Sequence, residues 1–232
     1  MAIPDAVRAL ERDLRDVFGP RLESLVMYRP AVDAPGAPVP TLATVSDLTS
    51  DDLRACAERA GGWHDAGLAT PLLLATHEIT RSLDVFPLEF GAILAEHAVV
   101  AGRDPFHALR VDDADVRRAC EVQARSHLLH LREAYIESRG RSDRIAELMT
   151  DSAAPLAGLL NSVARLLGAP TRDEHDAAAA VERAADLPTG SLSSVLVSAV
   201  RPLSGDQAKS RFPGHLAAVE RLTRFVDRWS RG

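Results

Sequence analysis

Lysine is nearly absent from this chain, since Lys209 is the only one and the other 26 basic residues are all arginine. Together with the abundance of alanine, this bias indicates the coding preference of a GC-rich genome rather than a functional requirement. Cysteine is scarce as well. Cys56 and Cys120 lie far apart and match neither a metal-binding nor a redox spacing, so both are predicted to be reduced and buried.

Long hydrophobic runs are also missing. No apolar stretch reaches the roughly 18 residues that a membrane-spanning helix needs. The N-terminal residues 1–18 mix charged and apolar side chains and lack the apolar core of a signal peptide. With 46% hydrophobic and 26% charged residues, the composition is that of a soluble globular protein. We therefore expect a cytoplasmic protein without a membrane partner.

An excess of positive charge is absent from both halves of the chain. Residues 1–110 carry 10 arginines and 16 acidic residues, whereas residues 111–232 carry 17 basic and 17 acidic residues. Nucleic-acid binding requires a basic surface that neutralises phosphates. The charge balance therefore argues against a nucleic-acid partner.

The first half of the chain alternates helical and strand-like patterns. Apolar residues recur at helical spacing over residues 4–18, and a second helix is expected after Ser50, with Ser50 and Asp52 as candidate caps. Five segments are predicted to be strands: 22–28, 41–48, 70–76, 85–93 and 97–101. The third is apolar enough for the centre of a sheet, the fourth is interrupted near its start by Pro87, and the last is expected to lie at an edge.

The second half shows helical periodicity only. From residue 112 onward, strand signals are few, and Pro155 is expected to kink or divide one of the long helices. Alternating strands and helices followed by helices alone predict an α+β protein. We expect a small mixed-sheet domain over residues 1–110 and an all-α helical bundle over residues 111–232.

Four stretches of sequence, in this order of elements, carry a resemblance to a known family. They are FGPRLESLVMY, DVFPLEF, HAVVAGRDPF and HLLHLREAYIES, and they span most of residues 4–165. The chain resembles the nucleotidyltransferase-like superfamily, of the minimal and aminoglycoside nucleotidyltransferase type with a C-terminal helical domain. The last third matches only as generic helix, and a resemblance at the level of fold does not fix the function.

In active members of that superfamily, the first strand ends in Gly-Ser and the second begins with Asp-x-Asp. The two aspartates face the same way and hold divalent metal ions that bridge the triphosphate. Here the corresponding positions read Arg29-Pro30 and Val39-Pro40-Thr41, so both aspartates are missing. Pro30 also lacks the N–H that could contact a phosphate. The resemblance therefore implies a degenerate active site with no catalytic residue, no metal and no cofactor.

Two carboxylates are candidate remnants of such a site. Glu89 corresponds to a third carboxylate of the superfamily, and Asp33 lies in the loop after the first strand, where a turn-forming role is the simpler interpretation. The alternative is an active, metal-dependent nucleotidyltransferase with relocated carboxylates. Glu89 would then bind Mg²⁺ with Asp33 as its partner, and a nucleoside triphosphate would donate to a small molecule or a protein.

A residual anion-binding surface is a further candidate. Its members are basic residues near the first strand and on the first helix of the second half: Arg29, Arg125, His127, His130 and Arg132. Cys120 and His127 fall within about 20° of each other on that helix, but metal pairs on helices use adjacent turns. We therefore expect a buried Cys120 and two partly exposed histidines.

The sequence thus favours a catalytically degenerate protein that acts by binding. Its partner would be a small ligand in the former cleft, a protein, or a second copy that associates through the helical domain.

Overall fold

The computed structural model describes residues 2–29, 36–171 and 173–229. The chain forms two compact units, Met1–Asp112 and Asp113–Gly232. The first unit combines a small mixed sheet with helices, and the described part of the second is helical. This confirms the predicted α+β class. None of the described helices has the length and apolar character needed to cross a bilayer.

The first unit is built around four strands with helices between them. The strands are β1 (Leu22–Tyr28), β2 (Thr41–Val45), β3 (Leu72–Ala75) and β4 (His97–Gly102). The helices are α1 (Asp5–Phe18), α2 (Ser50–Asp65), α3 (Ile79–Val85) and α4 (Pro87–Ala95). The strand order is β3-β2-β1-β4, in which β1 is antiparallel to both neighbours and β2 is parallel to β3.

Both faces of the sheet are covered, which explains why β1 is apolar at successive positions. Leu25 and Met27 pack into a cluster with side chains of α1 and α2, whereas Val26 packs into a second cluster with α3 and α4. The alternation follows from the two-residue period of a strand. The sheet is therefore fixed between two helical layers, and its register determines which residues meet at each end.

The prediction that 70–76 lies at the centre of the sheet is wrong, because β3 is an edge strand. Its apolar character comes from packing on both faces, since Leu73 joins one cluster and Leu74 the other. Leu72 remains 41% exposed. The edge position predicted for 97–101 is confirmed, because β4 lies at the opposite edge of the same sheet.

The predicted strand over 85–93 is also wrong. This segment contains the end of α3 and most of α4. Pro87 is the first residue of α4, where its fixed φ and missing N–H suit a helix start. Phe90 and Ile93, three residues apart, are buried on one face of this short helix. The segment 87–93 therefore forms part of a helix and not a strand.

The start of α2 is tied to the residue that precedes β1. Thr49, not Ser50, is the N-cap, and it forms a capping box with Asp52. Asp52 also accepts two hydrogen bonds from the Arg21 guanidinium, at 2.7 and 2.6 Å. These bonds hold the pKa of the Asp52 carboxyl well below its usual range. The Arg21–Asp52 ion pair therefore holds the start of β1 next to the start of α2.

The described part of the second unit contains five helices. They are α5 (Asp113–Glu137), α6 (Ser142–Leu166), α7 (Glu174–Ala184), α8 (Ser193–Leu196) and α9 (Gly205–Arg228). Pro155 lies within α6 without dividing it. The turn between α7 and α8 is held by the buried carboxylate of Glu182, which accepts hydrogen bonds from three backbone N–H groups. Such bonds offset the cost of burying a charge.

Candidate functional site

The end of the sheet where the resemblance places an active site is formed by the end of β1 and the starts of β2 and β4. In the sheet register, Met27 pairs with Thr41, and Tyr28 pairs with His97. The Tyr28 N–H also donates to the carbonyl of Pro40 at 3.3 Å. The positions corresponding to Gly-Ser and Asp-x-Asp are therefore neighbours across the strands.

The residues that replace Asp-x-Asp offer almost no oxygen ligands. The backbone of Val39 is held by bonds to Gly67 and Ala69, at 2.9 and 3.0 Å. Pro40 has an apolar side chain. Thr41 has a hydroxyl, but this residue is only 1% exposed. Hard divalent cations prefer several carboxylate and carbonyl oxygens, and the side chains present here do not provide them.

Arg29 and Glu96 form an ion pair at the same end of the sheet. The Arg29 N–H donates to the Glu96 carbonyl at 3.2 Å, and the Arg29 Nε lies 3.4 Å from Glu96 Oε1. The carboxylate is thus engaged by a guanidinium that already carries a positive charge. A divalent cation placed beside this pair would compete with Arg29 for the Glu96 carboxylate, and the positive charge of Arg29 would repel it.

His97, the first residue of β4, is a further polar side chain beside Arg29 and Glu96. Its Nδ1 lies 3.0 Å from the Ile93 carbonyl, and its Nε2 lies 3.2 Å from Asp104 Oδ1. The same Asp104 oxygen accepts a hydrogen bond from the Phe106 N–H at 2.9 Å. Both ring nitrogens and this carboxylate oxygen therefore have protein partners.

The two remnant carboxylates are not brought together in the described structure. Glu89 is exposed in the first turn of α4, and Asp33 lies outside the described residues. Nowhere in residues 2–29, 36–171 and 173–229 do three His, Cys, Asp or Glu side chains converge as a metal ion would require. A catalytic role for either carboxylate stays a prediction.

The predicted anion-binding arginines of α5 are engaged with acidic side chains of α9. Arg132 donates to Glu220 at 2.7 Å. Arg125 lies 3.5 Å from Asp227 and 3.8 Å from Glu121. These contacts compensate the positive charges and speak against a shared anion site, which stays a prediction.

The two histidines of α5 lie in different environments. His130 is exposed and lies 3.6 Å from Glu133. The expectation that His127 is partly exposed is wrong, because it is buried in the helical unit with an unpaired Nε2. Burial, with a smaller contribution from His130, lowers the pKa of His127 to about 4. The expected burial of Cys120 on this helix is confirmed.

A second buried histidine was not considered from the sequence. His215 of α9 is 3% exposed, and within the described residues neither ring nitrogen forms a hydrogen bond of normal geometry, although the Ser191 backbone lies nearby. Burial, with a smaller contribution from His127, lowers its pKa to about 4 against an opposing effect of that backbone group. Both side chains are therefore neutral near pH 7.

Sequence reasoning also missed Glu96, His97 and Asp104. Glu96 and His97 stand beside Tyr28 only because of the β1–β4 register, with its irregularity between Leu25 and Val26. The available signal was a carboxylate and a histidine in succession before the apolar run of residues 98–101.

The comparison with solved structures supports the predicted fold. The chain is similar to spectinomycin adenyltransferase from Enterococcus faecialis, whose crystal structure contains ATP and spectinomycin. The two share 12% sequence identity with a TM-score of 0.59, over 97% of this chain and 99% of the other. No family model and no curated protein matches the sequence. The chain thus has the nucleotidyltransferase-like fold, including the C-terminal helical part.

Proposed function

We propose that this chain is a catalytically degenerate nucleotidyltransferase-fold protein that acts by binding. The observation that carries the proposal is the composition of the sheet end, where Val39, Pro40 and Thr41 stand in place of the metal-binding aspartates. Nucleotidyl transfer depends on divalent metals that neutralise the triphosphate. Without carboxylates to hold the metal, the chain retains the fold but lacks the main source of transition-state stabilisation.

The Arg29–Glu96 pair strengthens this argument. The nearby carboxylate is already compensated by a guanidinium, which binds anions and cannot replace a metal ligand. With its carboxylate engaged in this ion pair, this sheet end is poorly suited to a metal–triphosphate complex.

Calorimetric titration with ATP and GTP, in Mg²⁺ and separately in EDTA, tests the proposal. The readout is the difference between the two titrations, because metal-dependent binding defines the family-type site. We expect no metal-dependent heat. Metal-dependent binding that is lost in Glu89→Ala but kept in Asp84→Ala, an exposed carboxylate of α3, would support the enzyme with relocated ligands instead.

The kind of partner that the chain binds is also part of this proposal. A protein or a second copy on the helical unit fits the binding role, and the charge balance disfavours nucleic acid. We also propose a cytoplasmic location. Light scattering over a concentration series would detect self-association, and a mass equal to one chain at all concentrations would exclude it in that range.

A further inference from the structure

The last two turns of α9 form one side of an open groove in the helical unit. The groove has a volume of about 370 Å³, within the range of about 300–1,000 Å³ that is usual for small-molecule sites. Its lining consists of three arginines, two aromatic residues and one alanine: Arg221, Arg224, Arg228, Phe225, Trp229 and Ala185. The spacing of the arginines, at i, i+3 and i+7, places them on one helix face.

The groove arginines differ in how they are held. Arg221 donates to the Asp186 carbonyl just after α7, and the same Nη2 lies 3.5 Å from the Asp186 carboxylate. Arg224 and Arg228 are exposed, and neither forms an ion pair with any residue of the described ranges. One guanidinium is thus anchored beside two that have no ion-pair partner within the described part of the chain.

Two acidic residues of this part of α9 lie within one turn of Arg224. Glu220 and Asp227 pair with the α5 arginines Arg132 and Arg125. Both acids are thus engaged elsewhere, and among the described residues the groove lining combines three arginines with no acidic residue, on a chain whose formal net charge is −6. Like charges three or four residues apart destabilise a helix, and a bound anion would reduce this cost.

The chemistry of the lining defines the ligand. Guanidinium groups bind phosphate through paired N–H donors. The rings of Phe225 and Trp229 are half-buried beside them and offer flat apolar surfaces for stacking. Cations required only to balance the negative C-terminal end of the helix would need no adjoining aromatic groove.

We propose that this groove is a metal-independent binding site for a small phosphate monoester carried on a planar ring. The arginines bind the phosphate, and the aromatic side chains stack on the ring. The inference extends the proposed binding role, yet the two can fail separately. If no ligand binds the groove, the proposal that the chain lacks metal-dependent nucleotidyl transfer still stands. If metal-dependent transfer is detected, the groove can still bind a ligand, because that site needs no metal.

Titrations in EDTA that follow tryptophan fluorescence and heat test the site on the full chain. The probes are AMP, phenyl phosphate, inorganic phosphate and adenosine. We expect at least one ring phosphate to bind about tenfold or more tightly than inorganic phosphate and adenosine, because neither of these engages both parts of the groove. AMP and phenyl phosphate distinguish a nucleotide ring from a simple phenyl ring.

The variants locate the site. Arg224→Gln combined with Arg228→Gln should weaken binding of the ring phosphate at least tenfold, since the substitutions remove two charged donors of the phosphate. Arg211→Gln, an exposed arginine of α9 outside the groove, should leave it unchanged. Trp229→Leu should abolish the fluorescence response and reduce the preference for ring phosphates.

Three results would overturn the inference. They are the absence of saturable binding, equal affinities for AMP, phenyl phosphate and inorganic phosphate, and equal weakening by the groove and control variants. Circular dichroism of each variant would show that the helices are intact, so that lost binding reports on the groove.

Discussion

Lowering the pH from 7.5 to 5 should destabilise the helical unit, because His127 and His215 are buried in it as neutral side chains. In the folded state their pKa values are about 4, against 6.5 for an unperturbed histidine. Between pH 4 and pH 6.5 the unfolded chain therefore binds more protons than the folded one. Stability is retained above this window, falls as the pH falls through it, and does not decline further from this cause below pH 4.

The magnitude follows from the same pKa values. Between pH 7.5 and pH 5, each histidine should lower the free energy of unfolding by about 2 kcal/mol, or about 4 kcal/mol for both. This is a large fraction of the roughly 5–15 kcal/mol that stabilises a typical domain. The pKa values already include the smaller contributions of neighbouring imidazoles, that of His130 for His127 and that of His127 for His215.

Urea denaturation followed by far-UV circular dichroism at the two pH values measures this loss. His215→Leu removes one buried imidazole with little change in volume, and should reduce the acid-dependent loss by about half, to about 2 kcal/mol. It should cost little at pH 7.5, because replacing an unsatisfied buried polar group by an apolar one of similar size is nearly neutral. His175→Leu, at an exposed position of α7, is the matched control and should keep the full loss.

An equal acid-dependent loss in the wild type and in His215→Leu would refute the reasoning. It would mean that His215 is protonated as easily in the folded state as in the unfolded chain. A wild type that is equally stable at pH 5 and pH 7.5 would refute it for both histidines.

Three other substitutions test the first unit by the same urea denaturation. Asp52→Asn removes the charge that binds Arg21 and weakens the capping box of α2, so it should cost about 2 kcal/mol; a loss below about 0.5 kcal/mol would contradict this account of the start of α2. Gly102→Ala should cost about 3 kcal/mol or more, because φ is +76° and a Cβ would lie 1.9 Å from the Glu23 carbonyl oxygen. Gly62→Ala, inside α2 with open space around it, should instead stabilise the chain by up to about 1 kcal/mol. Similar effects at the two glycines would contradict the close approach of β4 to β1.

The parts of the fold that the sequence predicted are those with long periodic patterns. The helix before β1 and the helices after residue 112, except the four-residue α8, have three or more turns, over which apolar spacing is unambiguous. The segment 85–93 failed because a short apolar run fits both a buried strand and a short helix. Pro87 favoured the helix, since proline suits the first helical turn and interrupts a strand.

For the candidate site, the sequence shows which residues are missing, but it does not show which of the remaining residues contact each other. The absence of an Asp-x-Asp motif from residues 39–41 can be read from the sequence. The Arg29–Glu96 pair cannot, because it depends on the strand order and register. The burial of His127 could have been inferred, since it lies within about 20° of Cys120, which was predicted to be buried.

The most direct test of the central claim is anomalous diffraction from crystals grown with Mn²⁺ and a non-hydrolysable ATP analogue. Mn²⁺ occupies the carboxylate sites that Mg²⁺ uses, and its anomalous signal locates it independently of any assumed ligand. The account predicts no Mn²⁺ peak where β1 ends and β2 begins, even if a nucleotide binds elsewhere. A peak at that end of the sheet, coordinated by carboxylate oxygens and the triphosphate, would contradict it.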